Sequence, residues 1–192
     1  MKEIYQKTLS KPLSFNGIGL HSGLNSKIRI LPGTDTCGIV FKRVDLEKNN
    51  LIEANFNNVT STTLSTTLQN KQGVKVSTVE HLLAALYIVG IDSAIIEIDS
   101  EEVPIMDGSA KIFLDTLKKT NLKQLNSKIK YLKILDKVEL KEGEREIKIT
   151  PKDSFEVDFE LKFNNKIIGN QRNLVDFSED NLKDIEESRT FC

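Results

Sequence analysis

Lys27-Ile28-Arg29-Ile30-Leu31-Pro32 is echoed later in the chain by Glu146-Ile147-Lys148-Ile149-Thr150-Pro151. In both copies apolar residues alternate with polar ones, the period of a strand with one face buried. Each copy follows a glycine, Gly23 or Gly143, able to close a hairpin, and each proline is followed by another apolar run. The first such run is Gly38-Ile39-Val40-Phe41. The second, Phe155, Val157, Phe159, Leu161 and Phe163, puts five apolar side chains on one sheet face.

Read as a repeat, the pair predicts two copies of a strand-strand-helix unit. The expected fold class is α+β: two related layers, each a mostly antiparallel sheet packed on helices as a two-layer sandwich. The first sheet-and-helix domain is expected over residues 1–125 and the second from 129 to 192. The second copy stops inside its first helix, at Ser188-Arg189-Thr190-Phe191-Cys192. It is therefore expected to be incomplete, with an apolar sheet face left uncovered at a cost of roughly 25 cal/mol per Å².

The first copy carries a further strand, Ala94-Ile95-Ile96-Glu97-Ile98, between two helices. One helix is expected over 77–89, with Val79, Leu82, Leu83 and Leu86 on one face and Gly90 as its stop. The other, over 109–120, starts at Ser109 and carries Phe113, Leu114 and Leu117. A third is expected to begin near Ser178, where Glu179 and Asp180 suit the positive end. The polar, basic stretch 121–130 reads as a linker.

The 192 residues hold 27 Lys and Arg against 28 Asp and Glu, a balance that gives no footprint for nucleic acid or an anionic membrane surface. The start, MKEIYQKTLSKPLSF, has no apolar h-region, and no run approaches the roughly 18 apolar residues of a spanning helix, so no membrane anchor is expected. Cys37 and Cys192 fit no metal spacing or disulfide framework, and free thiols in a reducing cytoplasm are expected.

Only two histidines occur, His21 and His81. His81 follows Glu80 one turn into the 77–89 helix, where a histidine beside a carboxylate could pair a metal ligand with a general base. Glu80 also stands three residues after Ser77, the spacing of a capping box. Spacing favours the cap and leaves the catalytic reading open. Gly17-Ile18-Gly19-Leu20-His21-Ser22-Gly23 reads as a tight turn between strands; it lacks the Gly-Lys-Ser/Thr ending of a phosphate loop. The Ser/Thr-rich stretch 61–67 reads as a β-ribbon in preference to a flap. Asp107, in Pro104-Ile105-Met106-Asp107-Gly108-Ser109, reads as a turn residue before a catalytic one.

Six segments taken together resemble the UDP-3-O-acyl-N-acetylglucosamine deacetylase family, zinc enzymes of lipid A biosynthesis. They are Gly17-Ile18-Gly19-Leu20-His21-Ser22-Gly23, Ser65-Thr66-Thr67-Leu68, Ser77-Thr78-Val79-Glu80-His81-Leu82, Gly90-Ile91-Asp92, Val103-Pro104-Ile105-Met106-Asp107-Gly108-Ser109 and Ser188-Arg189-Thr190-Phe191. They occur in the family's order across the chain, and the resemblance shifts Glu80-His81 from a cap to an active-site pair.

The resemblance implies removal of the N-acetyl group from UDP-3-O-acyl-N-acetylglucosamine by a cytoplasmic monomer. It implies His81 as a zinc ligand, Glu80 as the base and Thr190 as a hydrogen-bond donor to the oxyanion. Leu64 and Phe191 would line the way to the acyl-chain passage, and Arg145 and Phe163 would face the uridine diphosphate. Lys162 stands where relatives are expected to carry an acid. The family's other two zinc ligands, on a later His-x-x-x-Asp helix, and its general-acid histidine, in a Gly-His segment, have no counterpart in this chain. Only the N-terminal portion of the family is therefore expected here, with zinc held weakly by His81 alone and the fragment inactive. The competing expectations are a non-catalytic nucleotide-sugar-binding module and an inactive structural fragment.

Overall fold

The structure is a computed structural model that describes residues 4–178 and 182–190. It is α+β with mostly antiparallel sheets, and it divides into two compact units, residues 1–129 with 186–192, and 130–185.

The first unit opens with β1 (Tyr5–Leu9), β2 (Leu13–Ile18), β3 (Asn25–Pro32), β4 (Ile39–Arg43) and β5 (Leu51–Glu53). A 3-10 turn, Phe56–Asn58, leads to β6 (Val59–Ser61), β7 (Thr67–Gln69) and β8 (Lys75–Val76). Then come α1 (Glu80–Val89), β9 (Ala94–Ile98), α2 (Lys111–Leu117) and β10 (Leu122–Lys128). The main sheet has the order β2-β3-β9-β4-β5, antiparallel except where β4 runs parallel to β9.

The period-two pattern of Ile28 and Ile30 places both in the core, opposite Ile98 and Ile96 of β9. Leu82, Ala85 and Leu86 of α1 and Phe113, Leu114 and Leu117 of α2 join the same buried cluster. Phe15 of β2 meets Phe113 edge-on, ring centres 5.0 Å apart. Gly90 ends α1 at φ +79°, a conformation open to glycine without penalty.

Two local readings are corrected. The stretch 121–130 is not a linker: 122–128 form β10, paired antiparallel with β1. Its basic residues face water along a two-stranded ribbon, while Leu125 is buried and Leu122 packs against the core, too few apolar positions to show as a strand period. The capping box is also absent. Helix α1 begins at Glu80 behind Val79, with no side-chain cap, because Thr78 takes φ +55° and turns Ser77 away. The Ser77 hydroxyl donates to the Glu101 carbonyl instead.

The second unit holds β11 (Val138–Glu142) and β12 (Arg145–Ile149), a hairpin turned at Gly143 with φ +58°. It also holds the antiparallel pair β13 (Glu156–Lys162) and β14 (Asn170–Asp176). Across that pair, Arg172 forks onto Asp158 at 2.8 and 2.6 Å. All ten residues of β11 and β12 are exposed. The third helix is α3 (Lys183–Glu186); Glu179 and Asp180, expected near its start, lie outside the described residues. The echoed segments both form the second strand of a hairpin, and each is followed by a further strand. That strand pairs antiparallel with the next one in both cases, β4 with β5 and β13 with β14, and β4 also runs parallel to β9.

Candidate functional site

Glu80 and His81 open α1, both half-buried, at the end where unpaired N–H groups favour negative charge. The Glu80 carboxylate leaves its own helix uncapped and accepts the Thr66 N–H through Oε2 at 3.1 Å. Thr66 sits in the loop between β6 and β7, two residues after Leu64, which is exposed with φ +63°. The structure thus brings Glu80, His81 and the Leu64 loop together. The Ser/Thr-rich stretch forms a ribbon only at its ends, Ser61 and Thr67 pairing across the loop.

Thr190 is positioned by its main chain. Its N–H donates to the Gly108 carbonyl at 2.9 Å, and the neighbouring Arg189 guanidinium lies 3.5 Å from Asp107. Asp107 supports the turn that receives them, accepting the Ser109 hydroxyl at 2.8 Å and its N–H at 3.2 Å. Burial pushes the Asp107 pKa up, but the Ser109 bonds and Arg189 outweigh it and hold the carboxyl below its ordinary range. Beside the turn is an open cleft of about 330 Å³ lined by Asn16, Gly17, Ile18, Ile105, Met106, Asp107 and Ile112.

Arg145 and Phe163 belong to the second unit. Arg145 begins β12 opposite Glu142. Phe163 follows β13, and its N–H donates to the Gly169 carbonyl at 3.1 Å. Phe191 lies outside the described residues.

Sequence reasoning missed Glu102. It is 3% exposed, and its carboxylate accepts the N–H groups of His21 at 2.9 Å and Ser22 at 2.8 Å and the Thr78 hydroxyl at 3.0 Å. Burial pushes its pKa up; the bonds from His21, Ser22 and Thr78 prevail and leave it below the ordinary value of 4.5. Glu101 beside it is exposed, and nothing in the local pattern tells the two apart.

The donor set around His81 fits part of a metal site. An imidazole beside a pinned carboxylate matches one zinc ligand and a base. Among the described residues no group of three or more His, Cys, Asp or Glu is placed to hold a metal ion.

Comparison with known proteins places the chain in a family. The family model described as UDP-3-O-acyl N-acetylglycosamine deacetylase matches residues 6–192. A protein of Nautilia profundicola named UDP-3-O-acyl-N-acetylglucosamine deacetylase is 40% identical over 187 residues, 97% of this chain and 63% of that protein. One of the same name from Shewanella frigidimarina is 42% identical over 191 residues, covering 98% of this chain and 62% of its own length. A third, from Geotalea uraniireducens, is 39% identical over 188 residues, 97% of this chain and 61% of its own. The chain therefore spans less than two thirds of these relatives, and with a match running from residue 6 to residue 192 it belongs to the UDP-3-O-acyl N-acetylglycosamine deacetylase family.

Proposed function

We propose that this chain supplies the Glu80-His81 half of a zinc-dependent active site that hydrolyses the N-acetyl group of UDP-3-O-acyl-N-acetylglucosamine in cytoplasmic lipid A biosynthesis. The observation that carries the reading is the freedom of Glu80 from capping: its carboxylate lies against Thr66 beside His81. A carboxylate needed to cap its helix would be poorly placed to move a proton. Here that competing role is vacated.

His81 would provide one ligand, and the others would come from the part of the relatives that this chain does not span. Zinc, when bound, supplies polarisation of the amide carbonyl and a lower pKa for the attacking water. Glu80 takes the proton of that water as its oxygen adds to the acetyl carbon. Thr190 donates a hydrogen bond to the oxygen that gains negative charge, its backbone already fixed on Gly108. The C–N bond then breaks to acetate and a free amine, which takes its proton from an acid outside this chain. Leu64 and Phe191 would border the acyl chain. Phe163 and Arg145 would meet the uracil ring and the diphosphate, an aromatic face and a cation suited to each.

The test is acetate release by the chain extended to the length of its relatives, with zinc present. Glu80→Gln should lower kcat by about 10²-fold or more, the usual scale for a lost general base. Stability to urea should be almost unchanged, because the amide oxygen still accepts the Thr66 N–H. Undiminished turnover in the variant would remove Glu80 from the chemistry. Substrate binding without turnover by the unsubstituted protein would leave a nucleotide-sugar-binding module.

A further inference from the structure

The approach to α1 combines a strained residue with a buried acid, and neither belongs to the proposed catalytic set. Thr78 is 2% exposed and has φ +55°. A β-branched residue holds that left-handed conformation only where its surroundings impose it, at a cost on the order of 1–3 kcal/mol.

Two sets of contacts impose it here. On the main chain, Ser77 forms a parallel bridge with Glu102: the Ser77 N–H donates to the Glu101 carbonyl at 2.8 Å, and the Val103 N–H to the Ser77 carbonyl at 3.1 Å. On the side chain, the Thr78 hydroxyl donates to Glu102 Oε1 at 3.0 Å. The same carboxylate accepts the His21 N–H at Oε1 and the Ser22 N–H at Oε2. Gly19 makes room for it, since a Cβ there would lie 2.4 Å from Glu102 Oε2.

The left-handed Thr78 has a direct consequence. An N-cap serine needs extended backbone and a clear reach to the second or third helical N–H. With the chain reversed at Thr78, Ser77 turns to Glu101, Val79 stands at the N-cap, and Glu80 has no reciprocal partner for a capping box. The Glu80 carboxylate is then available to Thr66.

We propose that Glu102 is a positioning residue: its buried carboxylate holds Thr78 left-handed and so keeps Glu80 out of the helix cap and against the Thr66 loop. The consequence for catalysis rests on Glu80 being the base; the structural coupling does not.

Amide exchange on the 192-residue chain tests the coupling without any assay of activity. Glu102→Gln keeps one oxygen and sets an NH2 group against either the Ser22 N–H or the Thr78 hydroxyl and His21 N–H together, and in either case loosens the hold on Thr78. The Thr66 amide should then exchange at least about tenfold faster, the effect of losing one hydrogen bond to a charged group. The amides of Ile28 and Ile96 in β3 and β9 should stay protected. Glycine takes φ > 0 without strain, so Thr78→Gly added to Glu102→Gln should bring Thr66 back to within about threefold of the unsubstituted chain.

A role for Glu102 in general packing predicts no such rescue. Unchanged Thr66 exchange in Glu102→Gln, or a loss that Thr78→Gly leaves in place, overturns the proposal. If Glu102→Gln fails to fold, Thr78→Val decides, because it deletes only the hydroxyl: unchanged Thr66 exchange there overturns it equally. In the extended protein, kcat should fall in Glu102→Gln with KM little changed and recover in the double variant. Exchange behaving as expected while kcat stays constant would keep the coupling and count against Glu80 as the base.

Discussion

At the scale of single residues, local grammar and long-range contact compete at Ser77-Thr78-Val79-Glu80. The sequence satisfies the capping-box rule, yet the fold overrides it through a carboxylate 24 residues away. Glu80-His81 was legible as a pair, whereas the reason Glu80 is available lay in Glu102, which no spacing distinguishes from Glu101. Glu102 also makes stability depend on pH in a defined direction. Its folded pKa is lowered, so its contribution is complete above the ordinary value of 4.5 and is lost as pH falls through the folded value. Asp45, lowered by its bond to Arg43, and Asp107 act with the same sign but are common to wild type and variant. Urea unfolding from pH 7 down to pH 3 should therefore show Glu102→Gln well below wild type at neutral pH, with the two curves converging in acid as Glu102 itself protonates. A constant gap across that range would mean that the charge of Glu102 does nothing for the fold.

At the scale of elements, the strands found by reading were those with one fully buried face. Ile28 and Ile30, Ile96 and Ile98 repeat at period two because every second side chain enters the core. β10 escaped because its register slips against β1 between Tyr5 and Lys7, and only Leu125 turns fully inward. What ties this ribbon to the main sheet is polar and equally hidden from pattern reading. The buried Thr8 hydroxyl of β1 donates to the Ser93 carbonyl at 2.6 Å and accepts the Gly33 N–H at 2.8 Å, joining three segments at one oxygen. Gly33 admits that approach, for a Cβ there would lie 2.4 Å from Ser93 Oγ. Thr8→Val preserves the shape and strands both partners. It should cost about 1–3 kcal/mol in urea unfolding, the penalty of buried groups left unpaired. A loss within about 0.5 kcal/mol, as for ordinary surface substitutions, would show that the ribbon is held by its other contacts, Leu9, Leu122 and the Lys7–Asp92 bonds among them, and not by this oxygen.

At the scale of the whole molecule, the two units differ in how they bury apolar surface. The core cluster is drawn entirely from residues 9–117, with Phe41, Phe113 and the isoleucines of β3 and β9 excluded from water. Residues 130–185 carry as clear an apolar pattern, yet within their own unit Val138, Leu140, Ile147, Ile149, Phe155, Phe159 and Leu174 remain exposed. Period two therefore revealed β13 without revealing what its apolar face packs on, since alternation reports a face suited to burial and not its partner. A two-stranded ribbon with water on both faces is marginal by itself, because main-chain hydrogen bonds offset little of the ordering entropy unless apolar area is removed from water as well. Hydrogen exchange followed by mass spectrometry on the 192-residue chain should separate the units. Peptides from β3, β9 and α1 should exchange only through global opening. Those from β11, β12, β13 and β14 should exchange at least about 10²-fold faster, as expected where local opening costs far less than unfolding. Equal protection in both would mean that the apolar side chains of residues 130–185 are covered in solution, by another copy of the chain or by rearrangement of the unit itself. A rise in that protection with protein concentration would single out the former.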